Sequence, residues 1–201
     1  MKNLRLVVLA TLLLFTLAAA DPLAAAEYQI DASHSTIGFQ VRHMAISKTN
    51  GNFDDYTGSF SFEPGKPDSW SCEVVIQAKS INTNNQKRDD HLRSDEFLDV
   101  ANFTTLTFKS TGVKMENATE GVIMGNLTLH GVTKPVKLNL EILGTVTDPW
   151  GNERAGFSAS VKINRKNYGL SYNSMMEAGG LVVGDEVKIT LEIEGIKSPA
   201  E

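Results

Sequence analysis

Apolar and polar residues alternate with period two along most of this chain. Ile37, Phe39 and Val41 are separated by Gly38, Gln40 and Arg42, and Phe60 and Phe62 follow the same rule. Cys72, Val74, Ile76 and Ala78 oppose Glu73, Gln77 and Lys79, while Leu106 and Phe108 oppose Thr105, Thr107 and Lys109. Further on, Val136, Leu138, Leu140 and Ile142 alternate with Lys137, Asn139 and Glu141. Phe157, Ala159, Val161 and Ile163 alternate with Ser158, Lys162 and Asn164. The last run sets Val187, Ile189, Leu191 and Ile193 against Lys188, Thr190, Glu192 and Glu194. One apolar and one polar face per run predicts antiparallel sheet with one wet side. Asn50-Gly51, Glu63-Pro64-Gly65, Asp148-Pro149-Trp150-Gly151 and Gly184-Asp185 supply turn chemistry between the runs. About eight strands with short connections make an all-β sandwich or an up-and-down barrel, and periodicity alone leaves both open.

The alternation stops from Ser80 to Phe103, where Lys87, Arg88, Asp89, Asp90, Arg93, Asp95 and Glu96 crowd together. Thr83 and Gln86 have capping-box spacing, and Ser94 is placed to cap a second turn. Leu92, Phe97, Leu98 and Phe103 give this insert an apolar side. It reads as one or two short helices across an end or flank of the sheet.

The first residues do not belong to that sheet. Lys2 and Arg5 precede the apolar run Leu6 to Leu17, which leads through Ala18-Ala19-Ala20 to Ala24-Ala25-Ala26. Charge, apolar core and small-residue exit are the parts of a secretory signal peptide. Roughly 12 apolar residues fall short of the ~20 that span a bilayer. The reading is a leader over residues 1–26, with cleavage after Ala20 as second choice, and one domain over 27–201 that is periplasmic and has no membrane span. The formal charge is −5, with no Lys/Arg block, so nothing suggests nucleic acid as a partner. A single cysteine, Cys72, excludes an intrachain disulfide framework and a Cys-based zinc site. It sits on apolar parity and reads as core.

Tests for chemistry are mostly negative. Nucleotide-binding, nucleophile-elbow and zinc-protease motifs are absent. Asp31, His34 and Ser35 hold the residue types of a hydrolytic triad, but adjacent strand residues point to opposite faces. His34, His43, His91 and His130 lack metal-ligand spacing; a site would need His34 and His43 to meet Asp89 or Asp90 in space. Neither a catalytic residue nor a metal is assigned. Trp150 reads as packing at a rim, and Met175 and Met176 near Tyr168 and Tyr172 read equally as core or as mouth lining.

A resemblance adds what periodicity cannot. Tyr28-Gln29-Ile30-Asp31 with His34-Ser35, Phe39 to His43, Gly51-Asn52-Phe53, Ser80 to Thr83 and Asp90 to Ser94 form a collinear series. Phe103 to Phe108, Gly125 to Leu129 with Gly131 to Val136, Ile163-Asn164-Arg165 with Tyr168-Gly169, and Val183 to Val187 continue it. Together they resemble the YceI-like lipid- or polyisoprenoid-binding proteins of bacterial periplasms. The family usually has a proline where Thr104 stands and often an aspartate at Asn82. The resemblance implies an extended, lipocalin-like antiparallel β-barrel of about eight strands, with the insert as its short helical part.

In such a barrel the apolar parity turns inward. The expected lining comprises Phe39 and Val41, then Phe60, Phe62 and Ile76. Phe108, Leu127, Leu129 and Leu140 continue it, with Phe157 and Val161. His34, His43 and Arg165 are the polar candidates for a ligand head group. The implied role is a periplasmic carrier for a polyisoprenoid, an isoprenoid quinone or a similar long-chain amphiphile, with no other cofactor. The rivals are an enzyme acting on such a lipid in the same barrel and a stress-response interaction module with a packed interior. A homodimer stays open, and the insert is expected to cover the mouth or to plug an end.

Overall fold

The computed structural model describes residues 25–175 and 182–199. All but the last two residues of the expected leader lie outside that range, as does Met176. Among the described residues, eleven strands form one antiparallel sheet: β1 (Ala26–Ile30), β2 (Thr36–His43), β3 (Ser47–Phe53), β4 (Tyr56–Phe62), β5 (Ser71–Gln77) and β6 (Ile81–Asn82). After helix α1 (Gln86–Arg93) come β7 (Thr105–Met115), β8 (Glu120–Leu129), β9 (Val132–Thr147), β10 (Glu153–Asn164) and β11 (Val183–Lys197).

Strands β1, β4, β5, β7, β8, β9, β10 and β11 pair in that order, and β11 returns to β1, so the sheet closes into an eight-stranded barrel. The closing strand serves two neighbours. Near its C-terminus Ile196 pairs with Gln29 of β1, while Val187 to Glu192 pair with β2. From there β3 and the two residues of β6 complete the wall. One end therefore carries α1, and the other carries the turns at 63–70, 116–119 and 148–152.

Inward parity agrees with the apolar runs. Ile37, Phe60, Phe62, Ile76, Leu106, Phe108, Leu127, Leu129, Leu138 and Leu140 are all buried. Phenylalanine rings lie flat along this wall because glycines make room for them. A Cβ on Gly51, Gly125 or Gly195 would run into the ring of Phe39, Phe108 or Phe60, respectively. Rings laid along the wall leave the axis of the tube open.

Two expected turns are turns, with Gly65 and Gly151 at φ of 78° and 89°. The other two are not. Asn50-Gly51 lies inside β3, where Gly51 faces Phe39, and Gly184-Asp185 lies in an irregularity of β11 opposite β2. The insert holds one helix, whose N-cap is Asn85 rather than Thr83; its side chain accepts from the Arg88 amide at 3.0 Å. Ser94 ends that helix, its Oγ donating to the His91 carbonyl at 2.8 Å, and starts no second one. The start of β7 is tied although proline is missing, since the Ala78 amide donates to the Thr104 carbonyl at 2.9 Å.

Candidate functional site

A cavity of about 170 Å³ runs inside the barrel, from Phe62 and Trp70 at the turn end to Phe39, Val161 and Ile189 toward the helix end. All of its exposed lining surface is apolar. Ten of the eleven expected lining residues are on its wall: Phe39, Phe60, Phe62, Ile76, Phe108, Leu127, Leu129, Leu140, Phe157 and Val161. Val41 shares their parity but sits nearer the end of β2, beyond the cavity. Val113, Ile123 and Trp70 line it too and were missed. Trp70 lies outside any alternating run, and its indole NH donates to the Glu63 carbonyl at 2.6 Å while its ring packs on Phe62.

Among the described residues, the only titratable side chain on this wall is Cys72. Burial pushes its thiol up to about 11, despite hydrogen bonding with Ser110 that pulls the other way. The buried thiol is far less ionised near pH 8 than the same thiol in the unfolded chain. Iodoacetamide should therefore label folded protein slowly and guanidinium-unfolded protein fast, read by intact mass. Equal rates would place the thiol outside the lumen.

The helix end is closed by buried Ile81, Leu98, Ile163, Tyr168 and Leu170. The insert is bolted there: Arg93 donates to the carbonyls of Lys79 and Ile81, each at 2.7 Å, and buried Asp89 accepts from the Thr83 amide at 2.9 Å. These contacts fasten the insert across the helix end of the barrel.

The three polar candidates separate. Arg165 is 3% exposed, and its guanidinium donates to the carbonyls of Gly184 at 2.9 Å and Leu170 at 2.6 Å, beside Asp185. It braces a loop and is not on the wall of this cavity. His34 lies on the outside of the barrel, its Nδ1 2.9 Å from Asp31. His43 keeps the inward parity of Ile37 and Phe39 at the end of β2, and its ring has no hydrogen-bond partner among the described residues.

Asp31, His34 and Glu194 bring possible ligand atoms within 4.8 Å of one another. Arg154 already occupies this group. Its Nη1 bonds both Asp31 and Glu194, and its Nε bonds Asp148 at 2.8 Å. Ser35 does not complete a triad, because its Oγ binds the backbone of Glu194. Trp150 packs on no rim: it is 80% exposed.

The YceI-like domain family matches residues 28–195. The YceI protein of Salmonella newport is 42% identical over 198 residues, covering 98% of each chain. The chain belongs to the YceI-like family. Among solved structures, the YceI protein of Campylobacter jejuni is similar at a TM-score of 0.69 and 30% identity, over 79% of this chain and 90% of that one. BcnA of Burkholderia cenocepacia shares the fold at a TM-score of 0.73 and 18% identity, over 82% of this chain and 98% of that one. So does a polyisoprenoid-binding domain from Saccharophagus degradans, at 0.60 and 20%, over 87% and 99%. The YceI-like barrel is thus the frame around the apolar lumen described above.

Proposed function

We propose that this YceI-like protein binds and carries a polyisoprenoid, an isoprenoid quinone or a similar long-chain amphiphile in the barrel lumen, in the periplasm after loss of its leader. The observation that carries this reading is a tube whose exposed lining is wholly apolar. An empty apolar cavity of about 170 Å³ costs roughly 4 kcal/mol at the coefficient for unfilled core volume. A branched hydrocarbon chain relieves that cost and gains ~0.8 kcal/mol for each CH₂ taken from water. The same fold serves a polyisoprenoid-binding domain in Saccharophagus degradans. Binding rather than conversion is supported by the wall chemistry, since acid–base catalysis needs paired titratable groups at the ligand and, among the described residues, Cys72 stands alone on the wall. Of the three polar candidates for a head group, His43 alone keeps inward parity on its strand, at a position beyond the cavity.

Mass spectrometry of organic extracts of the protein, purified from its own host's periplasm, tests this. An intact isoprenoid lipid in stoichiometric amount is the expected result. A chemically altered lipid would make the protein an enzyme, and a clean extract from a protein that also fails to take up added isoprenoid would leave a packed scaffold.

A further inference from the structure

The β2–β3 hairpin ends in a turn whose chemistry is out of place for a soluble surface. Met44 and Ala45 occupy its centre with φ of 50° and 59°, and the Ile46 amide donates to the His43 carbonyl at 3.2 Å. Two successive left-handed residues are the mark of a type I′ turn, where Asn-Gly is the unstrained choice. Here both positions carry a Cβ, and strain retained in an exposed turn points to function.

The tip is apolar. Ile46 is 86% exposed and Met44 40%. The Met44 amide donates to the Val182 carbonyl at 2.8 Å, and the Val182 amide to the Ser174 carbonyl at 3.1 Å, which brings Met175, 82% exposed, alongside. Just behind the tip, exposed Arg42 and Lys48 stand directly opposite each other on β2 and β3. Like charges in that position repel. Among the described residues neither has a carboxylate partner, whereas nearby Lys162 and Lys166 pair with Glu186 and Asp185. Arg42 reaches forward instead, its Nη1 3.2 Å from the Ala45 carbonyl. A cation pair kept at the root of an apolar wedge, on a protein of formal charge −5, calls for an anionic, partly apolar surface. The opposite end also exposes apolar side chains, at Leu143, Val146 and Trp150, but Glu116, Glu120 and Glu141 lie close by and Arg154 is taken up by its own carboxylates.

We infer that the β2–β3 tip docks onto an anionic lipid bilayer. Ile46, Met44 and Met175 enter the interface, and Arg42 and Lys48 meet lipid phosphates. This goes beyond the carrier reading and does not depend on what fills the lumen.

Co-sedimentation with phosphatidylcholine vesicles, with and without phosphatidylglycerol, tests it at low and high salt. The unaltered protein should sediment with the phosphatidylglycerol vesicles and be released by salt. Ile46→Asp should lower that partitioning about tenfold, in line with losing one large buried aliphatic side chain. Arg42→Glu together with Lys48→Glu should remove the preference for phosphatidylglycerol. Both variants should still take up isoprenoid from detergent, so a failure of docking is separable from a failure of the lumenal reading. Sedimentation that ignores phosphatidylglycerol, or that Ile46→Asp leaves unchanged, overturns the inference. A dimer in solution that Ile46→Asp converts to monomer would give the tip to a second copy and overturn it as well.

Discussion

Phe108→Asp should abolish isoprenoid retention, with a loss of at least about a hundredfold in affinity, because an ionised carboxylate in a dry apolar tube costs several kcal/mol. Phe108 lies on the cavity wall between Leu106 and Ser110 of β7, with its ring over Gly125. The same geometry supplies a gentler variant. Gly51→Ala puts carbon where the Phe39 ring of the wall now sits, with side-chain atoms alone as its nearest neighbours, and must drive that ring off the wall into the lumen. It keeps the tube apolar yet narrows it, so bound lipid should fall while the barrel persists. Extraction and mass spectrometry of both variants, with circular dichroism as the check on folding, decides the matter. Undiminished lipid in a folded Phe108→Asp protein removes Phe108 from the site, and undiminished lipid in Gly51→Ala shows that the Phe39 ring does not bound the ligand.

The second large effect belongs to the outer wall. Arg154→Leu leaves Asp31, Asp148 and Glu194 facing one another without their shared cation. In the native protein, hydrogen bonds from Ser33, Arg154 and His34 hold the Asp31 carboxyl well below its ordinary 3.8. Burial alone would raise Asp148, but bonds from Arg154, Asn152 and the Trp150 amide reverse that and hold it low as well. A carboxyl with a depressed folded pKa contributes stability above its unfolded pKa and loses it as pH falls through the folded value. The native protein should therefore be most stabilised by this cluster near neutrality and lose that part from about pH 4 downward. Arg154→Leu should melt at a clearly lower temperature at pH 7, and the gap between the two proteins should begin to narrow below about pH 4 and go on narrowing below about pH 3, toward the depressed folded values. Melting curves that stay parallel across that range would mean that Arg154 does not set these carboxyls.

Most of the barrel was legible because its strands carry apolar side chains on every second position. Strand β3 was not, and the reason is physical. Its inner face reads Thr49, Gly51, Phe53, and the glycine is there so that the Phe39 ring of β2 can lie over it. A wall built by folding one strand's ring over the next strand's glycine removes an apolar residue from the pattern, and Asn50-Gly51 then passes for a turn. The true turn, Met44-Ala45, has no turn chemistry at all. Arg165 misled for another reason: its charge suggests a ligand contact, yet its neighbours are backbone carbonyls that no pattern of side chains reveals. Phe62, Leu140 and Phe157 were readable as lining, whereas Trp70 enters from a short 3-10 turn with no period to read.

The double service of β11 also fixes when the tube can exist. Residues 183–197 seal one seam against β1 and the other against β2, elements formed from the earliest part of the described chain. Hairpins such as β7–β8 and β9–β10 join neighbours in sequence and can form early, but neither seam can shut until the final strand has been made. Without residues 183–197 the wall lacks both of these seams, so closure is a long-range event that joins the two ends of the described chain. A chain cut before residue 183 should be more open to protease than the full one, and the lumen has no closed wall until the last strand arrives.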